Sequence, residues 1–296
     1  MKTVKIPDAF AALVAVLLFF PSWLNAEENR DSLALVEAEW NEEQIAKNIT
    51  LKQAFFKGNL FSSNQVITIL EINVEKSGKK GSPHFSIEGV DELTKTSEIA
   101  ANSGALAGVN GNFFSFKKPH NSVDYLRVNG IEICGNNGKG KRGFNQSGVV
   151  AVDKKGRLSI YKPDSTDITW ERTLGAPNIM TAGPLLISRG EKEPLKRASF
   201  YITRHPRTAV AILDNKKVLL ITVDGRNGSA QGMSLEELQK SASWLGAKEL
   251  INLDGGGSTT MYIEGKGVVN YPSDNKKFDH FGERRVANAL LLRLNE

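Results

Sequence analysis

The sequence predicts an α+β fold, in which a single domain contains a mixed or antiparallel β-sheet and a few packed helices. Many short segments are rich in β-branched and other apolar residues, and turns rich in Gly and Lys separate them. Only two segments carry a convincing helical pattern, and neither a repeat nor a regular alternation of strands and helices is present. This pattern favours an α+β domain over a series of βαβ units.

β-Strands are predicted where apolar residues alternate or form short runs between turn residues. The clearest is QVITILEINV at 65–74, and the segments 208–213 and 217–223 flank Asp214-Asn215 as the two strands of a hairpin. Further strands are predicted at 105–109, 123–128, 148–152, 157–161, 184–187, 249–253, 259–263 and 285–292. Most of the regular structure is therefore expected to be β-sheet.

Two helices are predicted from the signals at their ends. The first covers 91–103 and opens on Asp91 as its N-cap. The second covers 234–244, where Ser234 and Glu237 have the spacing of a capping box. A glycine follows each segment and is expected to end the helix.

The first 26 residues have the features of a signal peptide. A short basic start precedes an unbroken apolar run at 11–20, and Ala26 provides a small residue at the expected cleavage site. The run is too short to span a bilayer core about 30 Å thick. We therefore predict a signal peptide at 1–26, an N-terminal segment at 27–59 that starts as a helix or an extended arm, and the main domain at 60–296. The mature protein is expected to be soluble and exported, either periplasmic or secreted.

Charge and cysteine content narrow the classes of function. Cleavage after residue 26 removes Lys2, Lys5 and Asp8, so the formal net charge falls from +5 to +4. This mild excess suits an anionic substrate but does not indicate a nucleic acid partner. No later segment is long enough for integral membrane association, and the oligomeric state is not specified. The single cysteine, Cys134, is more typical of a buried small hydrophobe than of a nucleophile.

The most distinctive motif, DGGGS, directly follows a predicted strand and consists of Asp254, Gly255, Gly256, Gly257 and Ser258. Glycines allow positive φ and a close approach to a ligand, and their N–H groups can hold an anion. The alternative is a tight turn with Asp at its first position. Because a turn rarely needs three consecutive glycines, we interpret the motif as part of a functional site.

A second Asp-Gly pair, Asp224-Gly225, is followed by Arg226 and ends the predicted strand 217–223. Two strands that are separated by one helix and end in Asp-Gly can bring both carboxylates to one edge of a sheet. Paired carboxylates are the usual apparatus of glycoside cleavage. Taken alone, however, an Asp-Gly pair at a strand end indicates only a turn.

Two further segments carry polar side chains that suit a sugar phosphate. His205 and Arg207 precede a strand; histidine can donate a proton near neutral pH, and arginine binds phosphate through a planar fork of donors. Asn110 and Asn112 lie on a glycine-bearing loop and offer donors and acceptors for sugar hydroxyls. The alternative for the first segment is a surface turn, and the Phe113-Phe114 pair that follows Asn112 is more typical of a core.

Other common site motifs are excluded. The loop GNNGKGKRG at 135–143 nearly fits the phosphate-loop pattern, but Arg142 occupies the hydroxyl position and no helical pattern follows. The interpretation that remains for this segment is a basic loop near the entrance of a site. The sequence contains no His-Glu-x-x-His, no paired-cysteine motif and no Gly-x-Ser-x-Gly, which disfavours zinc proteases and serine esterases.

Together these motifs resemble the phosphodiester glycosidase family, from about residue 60 to the C-terminus. The resemblance rests on GVNGNFF (108–114), HPRTAVAI (205–212), ITVDGRNGSAQGMSLEELQKSASWLGA (221–247), INLDGGGSTTMY (251–262), VNYPSD (269–274) and ERRVANALL (283–291). The chain lacks the disulfide-bonding cysteines and extra C-terminal modules of the animal members, so it is similar to a compact bacterial member.

The resemblance implies a hydrolase that cleaves the sugar C1–O bond of an N-acetylglucosamine-1-phosphodiester-like substrate, which is a sugar-phosphate or phosphodiester-linked glycan. It implies catalytic residues at Asp254, Asp224 and His205. It implies substrate-binding residues at Asn110, Asn112, Arg207, Arg226, Gly255, Gly256, Gly257, Ser258, Arg285 and Asn288.

The mechanism follows from the bond that is cleaved. A phosphate monoester, whose second pKa is about 6, is a good leaving group, so strong acid catalysis is unnecessary. Arg207 and Arg226 would hold the phosphate, and His205 would share or supply a proton. Asp254 or Asp224 would stabilise the oxocarbenium-like centre or act as base or nucleophile, and retention and inversion both remain open.

Three alternatives remain open from the sequence. No cofactor is required, but Asp254 and Asp224 could instead hold a divalent cation, Ca²⁺ or Mg²⁺. A phosphodiesterase that cleaves P–O would use the same residues. A non-catalytic glycan-binding protein of an exopolysaccharide system would bind the same ligands without turnover.

Overall fold

The computed structural model describes residues 28–74, 79–119, 121–137 and 141–295. Within these residues the chain forms three β-sheets and four helices. The helices are α1 (28–36), α2 (Thr96–Asn102), α3 (Ser199–Ile202) and α4 (Leu235–Trp244). The predicted signal peptide at 1–26 lies outside the described residues.

Sheet 1 has eight strands. In spatial order they are β1 (Asn41–Ala46), β2 (Ile49–Leu60), β3 (Ser63–Asn73), β14 (Lys217–Val223), β13 (Arg207–Leu213), β15 (Ala247–Asn252), β11 (Leu185–Ser188) and β12 (Glu191–Lys192).

Sheets 2 and 3 have five strands each. The order in sheet 2 is β7 (Ile131–Cys134), β6 (Leu126–Val128), β10 (Asn178–Ala182), β8 (Gly148–Val152) and β9 (Leu158–Tyr161). The order in sheet 3 is β17 (Gly267–Val268), β16 (Met261–Ile263), β5 (Ala107–Asn110), β18 (Arg285–Leu294) and β4 (Pro83–Lys95).

The fold class is confirmed in part, because the protein is mainly β-sheet with a few packed helices. One mixed or antiparallel sheet was expected. The structure instead has three sheets, and the described neighbouring strands in them pair antiparallel. Residues 41–60, from the predicted N-terminal segment, form two strands of sheet 1. No helix among the described residues is long and apolar enough to cross a membrane.

Sheet 1 is buried on both faces, which explains why its central strands are nearly continuous apolar runs. Alternate residues of β14 point to opposite faces. Leu220 packs into a core shared with sheets 2 and 3, whereas Leu219 and Ile221 pack into a second core against the helices. On that side Leu235 and Leu238 of α4 are buried.

The helix predicted at 234–244 is confirmed, together with its capping box. Ser234 Oγ accepts a hydrogen bond from the Glu237 N–H at 3.1 Å, and Glu237 Oε2 accepts one from the Ser234 N–H at 2.8 Å. The helix predicted at 91–103 has the wrong start. Residues up to Lys95 extend β4, where they pair with β18, and α2 begins only at Thr96.

The order of three strands in sheet 1 positions the candidate site. β13 lies between β14 and β15 and pairs antiparallel with both. β14 and β15 therefore run in the same direction and end at the same edge of the sheet, where β13 begins. The two Asp-Gly pairs and the His-Pro-Arg segment meet at this edge.

Candidate active site

Both Asp-Gly pairs pack against Pro206, at the start of β13. The Gly256 N–H donates to the Pro206 carbonyl at 2.9 Å. A Cβ on Gly225 would lie 2.9 Å from Pro206 N, and one on Gly255 would lie 2.7 Å from the Pro206 carbonyl oxygen. Only glycine fits at either position without movement of the backbone, so the strand ends are held close together.

Asp254 presents its carboxyl group at this edge. Its backbone N–H donates to the Gly111 carbonyl at 3.0 Å, and its carbonyl accepts from Asn110 Nδ2 at 2.7 Å, so the residue is fixed from sheet 3. Its side chain is half-buried, and Oδ1 accepts from the Gly255 N–H at 2.9 Å.

Burial raises the pKa of Asp254 to about 6. The neighbouring Ser258 hydroxyl and Gly255 N–H oppose this increase in pKa, as do the positive charges of Arg284 and Arg226. The carboxyl group therefore titrates near neutral pH beside two guanidinium groups, an arrangement that is frequent in active sites.

Asp224 reaches the same edge but is enclosed by protein. It is 1% exposed, and Oδ1 accepts from Asn270 Nδ2 at 2.8 Å and from the Tyr271 N–H at 2.9 Å. Burial raises its pKa to about 7, against these two hydrogen bonds. Asn270 also donates to the Thr259 carbonyl at 3.1 Å, so Asp224 supports the segment behind the glycine turn. The prediction that both carboxylates face a substrate is corrected: Asp224 is enclosed, and Asp254 is the less buried of the two.

The three glycines form a turn that two arginines flank. Gly256 has φ of +63°, and a Cβ there would lie 2.8 Å from Arg226 Nη2. A Cβ on Gly257 would collide with Arg284 Nη2 and with Asp274 Oδ1. The absence of side chains on the turn therefore lets two positive charges approach its backbone. Arg226 is exposed and itself has φ of +62°, a strained conformation for a residue with a Cβ.

Arg284 was not among the residues predicted from the sequence, which pointed to Arg285 instead. The Arg285 side chain points away from the turn, and its Nη1 lies 3.4 Å from Glu98 Oε2 on α2. Arg284 Nη2 pairs with Asp274 Oδ1 at 2.6 Å, and its guanidinium carbon lies 5.6 Å from the centre of the Phe116 ring. The side chains of neighbouring residues at the start of a strand point to opposite sides of the sheet. Arg284 therefore points to the turn and Arg285 points away from it, although the two residues are adjacent in sequence.

The prediction that Arg207 clamps a phosphate is corrected. This side chain is 2% exposed, and its Nε donates to the Met233 carbonyl at 2.9 Å. Its Nη2 donates to the carbonyls of Phe200 and Thr203, each at 3.0 Å. Burial lowers its pKa to about 10. Arg207 therefore links β13 to α3 and to the segment that contains Met233.

The three asparagines that were predicted to bind the substrate also have a structural role. Asn110 Oδ1 accepts from the Thr208 hydroxyl at 2.7 Å and from the Thr260 N–H at 3.1 Å. Asn288 Nδ2 donates to Asn112 Oδ1 at 2.8 Å, and Asn288 Oδ1 accepts from the Asn112 N–H at 3.0 Å. All three are at most 2% exposed, so their amides are already used within the protein.

His205 lies half-buried beside the two positively charged residues Arg207 and Arg226. Burial lowers the pKa of His205, and the charges of both arginines lower it further. The imidazole is therefore neutral at pH 7 and can accept a proton. The sequence pointed to His205 as a proton donor, whereas a neutral imidazole is suited to accept a proton, and its catalytic role stays a prediction.

Three aromatic side chains, Phe113, Phe144 and Phe200, pack together and are called the aromatic wall below. The ring centres of Phe144 and Phe200 are 4.7 Å apart, and Phe113 lies 6.3 Å from Phe144. Phe113 is two residues from Gly111, whose carbonyl accepts from the Asp254 N–H. Phe144 is 39% exposed, so the wall offers an apolar surface to a ligand.

The remaining candidates lie elsewhere or are enclosed. Arg142 of the basic loop pairs with Glu171 at 2.7 Å, and the two side chains are 4% and 0% exposed. Burial raises the pKa of Cys134, which disfavours a nucleophilic thiolate. Asp254 and Asp224, considered as Ca²⁺ or Mg²⁺ ligands, belong to no group of three or more His, Cys, Asp or Glu among the described residues that could hold a metal.

The glycine turn yields a prediction. Gly256→Val should raise the KM for a sugar 1-phosphodiester at least about tenfold, because the side chain would displace Arg226 and oppose the positive φ. Gly265→Val is the matched control, since Gly265 has φ of +76° and nothing within 4 Å of a Cβ. Equal KM values in the two variants would show that the turn does not contact the ligand. Steady-state kinetics would measure both.

Comparisons with known proteins identify the family of the chain. Residues 103–293, more than half of the chain, match the family model for phosphodiester glycosidase. The catalytic domain of zebrafish N-acetylglucosamine-1-phosphodiester alpha-N-acetylglucosaminidase, auto-inhibited by its pro-peptide, superposes with a TM-score of 0.62 and 19% identity. That alignment covers 84% of this chain and 82% of the zebrafish chain.

Two other proteins are similar to this chain. A hypothetical protein from Synechocystis superposes with a TM-score of 0.63 and 18% identity, over 87% of this chain and 64% of that one. The SPbeta prophage-derived uncharacterized protein YomE of Bacillus subtilis (strain 168) is 24% identical over 130 residues. These are 43% of this chain but only 20% of the length of YomE. At these identities the structural matches establish a shared fold.

Proposed function

The chain belongs to the phosphodiester glycosidase family, and from this premise we propose that it hydrolyses the C1–O bond of a sugar 1-phosphodiester. The products are a free sugar and a phosphomonoester. The observation that carries this proposal is the half-buried Asp254, whose carboxyl group has a pKa of about 6 and lies beside a glycine turn that Arg226 and Arg284 flank. In this proposal the carboxylate lies next to the position at which the phosphate binds.

In the proposed complex the phosphate lies between the two guanidinium groups and against the backbone of the turn. Arginine forks suit phosphate oxygens. The N–H groups of Gly255, Gly256 and Ser258 are already hydrogen-bonded within the protein, so the two guanidinium groups are the donors of this proposal. The positive charges stabilise the negative charge that develops on the phosphate as the C1–O bond breaks. A monoester leaves readily, since its second pKa is about 6.

The carboxylate of Asp254 then faces the anomeric carbon. It stabilises the positive charge at C1, or it forms a covalent bond to C1 as the C1–O bond to phosphate breaks, and water then cleaves this covalent bond. Water supplies the oxygen that replaces the phosphate at C1, and the neutral imidazole of His205 is suited to accept the proton that water loses. The proton finally reaches the monoester or solvent, so the step balances without a cofactor.

The sugar ring lies against the aromatic wall of Phe113, Phe144 and Phe200. A pyranose has an apolar face that packs on aromatic rings, and N-acetylglucosamine also carries an apolar methyl group. We propose N-acetylglucosamine as the sugar because of the family membership and of the zebrafish relative. Export is proposed from the composition of residues 1–26, and it would expose the enzyme to polymeric or host glycans.

Turnover of a small panel of sugar 1-phosphodiesters tests the proposed function, with products identified by mass spectrometry. In ¹⁸O-labelled water, C1–O cleavage places the label in the free sugar, whereas P–O cleavage places it in the phosphate. Label in the phosphate would overturn the proposed bond. Binding of these compounds without turnover would identify a glycan-binding protein instead.

Arg226→Gly offers a test that separates binding from folding. The variant should lose at least about tenfold in kcat/KM toward a sugar 1-phosphodiester, because one of the two phosphate donors is removed. Its unfolding free energy should stay the same or rise, since glycine adopts the φ of +62° without strain. Lys216→Gly, at an exposed position with φ of +59°, is the control for charge and backbone. Equal kinetics in both variants would remove Arg226 from the site.

A further inference from the structure

One acidic side chain at the glycine turn has no part in the mechanism described above. Asp274 and Arg284 both occupy the space that a Cβ on Gly257 would need. The Asp274 N–H donates to the Gly282 carbonyl at 3.0 Å, and the Arg284 N–H donates to the Gly257 carbonyl at 3.3 Å. The loop that links Asp274 to Arg284 therefore holds a negative charge beside the proposed phosphate position.

This charge affects the substrate and the product of the proposed reaction differently. A phosphodiester carries one negative charge, whereas a phosphomonoester carries nearly two above pH 7. Arg226 and Arg284 alone would bind the dianion more tightly than the monoanion, so the product would accumulate on the enzyme. A carboxylate beside the phosphate repels the second charge of the product more than it disturbs the diester.

We propose that Asp274 determines specificity, by making the site prefer monoanionic phosphodiesters over dianionic phosphomonoesters and so favouring release of the product. This inference rests on the proposed function, because it takes the phosphate to lie at the glycine turn. The side chains of Asp274 and Arg284 are 39% and 26% exposed, so water weakens the repulsion. Two charges about 5 Å apart in such a setting alter binding by about fivefold or more.

The experiment compares two ligands of similar size, phenyl phosphate and methyl phenyl phosphate. Their dissociation constants are measured by calorimetry at pH 8 for the full chain and for Asp274→Asn. The variant should bind phenyl phosphate at least about fivefold more tightly, and its affinity for methyl phenyl phosphate should change by less than about twofold. At pH 5 both ligands are monoanions, so Asp274→Asn should change the affinities for phenyl phosphate and for methyl phenyl phosphate by the same factor.

Asp214→Asn is the control, because Asp214 is an exposed carboxylate in the β13–β14 turn and its loss changes the net charge equally. It should leave the ratio of the two affinities unchanged. Asp274→Ala provides a second variant if the asparagine variant does not fold. An equal change in affinity for both ligands would overturn the proposal, because Asp274 would then only position Arg284. No change for either ligand would overturn it as well.

The outcome is separable from a failure of the proposed function, since binding is measured without turnover. If no diester is cleaved but the ratio of affinities shifts as expected, the charge selection holds and the proposed reaction fails. If diesters are cleaved and the ratio stays constant in both Asp274 variants, the reaction holds and the charge selection fails.

Discussion

Asp254→Asn is expected to lower kcat toward a sugar 1-phosphodiester by at least about a hundredfold while the protein remains folded. The asparagine oxygen can still accept the Gly255 N–H that Asp254 Oδ1 accepts at 2.9 Å. The backbone anchors to Gly111 and Asn110 do not involve the side chain. The variant therefore removes the charge and the nucleophilic oxygen with little effect on the turn.

The same hypothesis predicts the pH dependence of the wild type. Burial raises the pKa of Asp254 to about 6, and the mechanism requires the ionised form. kcat/KM should therefore rise as the pH increases through about 6 and level off above it. Asp224→Asn is the matched control, because Asp224 is a strand-end carboxylate that is 1% exposed. It should lose far less activity than Asp254→Asn. Near-normal kcat in folded Asp254→Asn would remove Asp254 from the mechanism.

The meeting of the two Asp-Gly pairs at one sheet edge was predictable from local sequence. Two strands that each end in Asp-Gly, with one helix between them, implied a common sheet edge, and the order β14-β13-β15 places both ends there. The three glycines implied a close approach to a ligand. In the structure a Cβ on any of the three would collide with atoms of the protein itself. These atoms belong to Pro206, Arg226 or the Asp274–Arg284 pair. These features depend on short-range patterns, which a sequence states directly.

The roles of the polar residues were harder to predict, because burial is a property of the tertiary structure. Arg207, Asn110, Asn112 and Asn288 have the residue types of a sugar-phosphate site, but neighbouring carbonyls, amides and hydroxyls already satisfy them. Nothing in their local sequence distinguishes a buried frame residue from a ligand contact. Arg284 was missed because its position at the turn depends on the loop before β18, which has no regular pattern.

The start of α2 shows the same limit in the fold. Residues 91–95 have helical end signals, and an isolated segment has no reason to extend the preceding strand. Lys95 pairs with Arg285 and Thr94 pairs with Val286, although these partners are far apart in sequence. Strand pairing with β18 therefore prevails over the local preference.

Arg207→Lys is expected to lower the unfolding free energy by about 2–4 kcal/mol, the largest stability effect we predict. The guanidinium satisfies the carbonyls of Met233, Phe200 and Thr203 from within the protein, at 2.9–3.0 Å. The lysine ammonium cannot reproduce the planar fork of donors, and each buried carbonyl left without a partner costs about 1–3 kcal/mol. Chemical denaturation of both proteins would measure the difference.

Arg226→Lys is the matched control for Arg207→Lys, since the substitution is the same at an exposed position two residues from Asp224. It should leave the unfolding free energy nearly unchanged and reduce kcat/KM for a sugar 1-phosphodiester. Arg207→Lys should show the reverse, with kcat/KM per folded molecule within about threefold of the wild type. If Arg207→Lys kept its stability and lost activity on phosphodiesters, Arg207 would contact the phosphate after all. The buried hydrogen bonds of its guanidinium predict the opposite, because a side chain that holds three carbonyls has little freedom to reach a ligand.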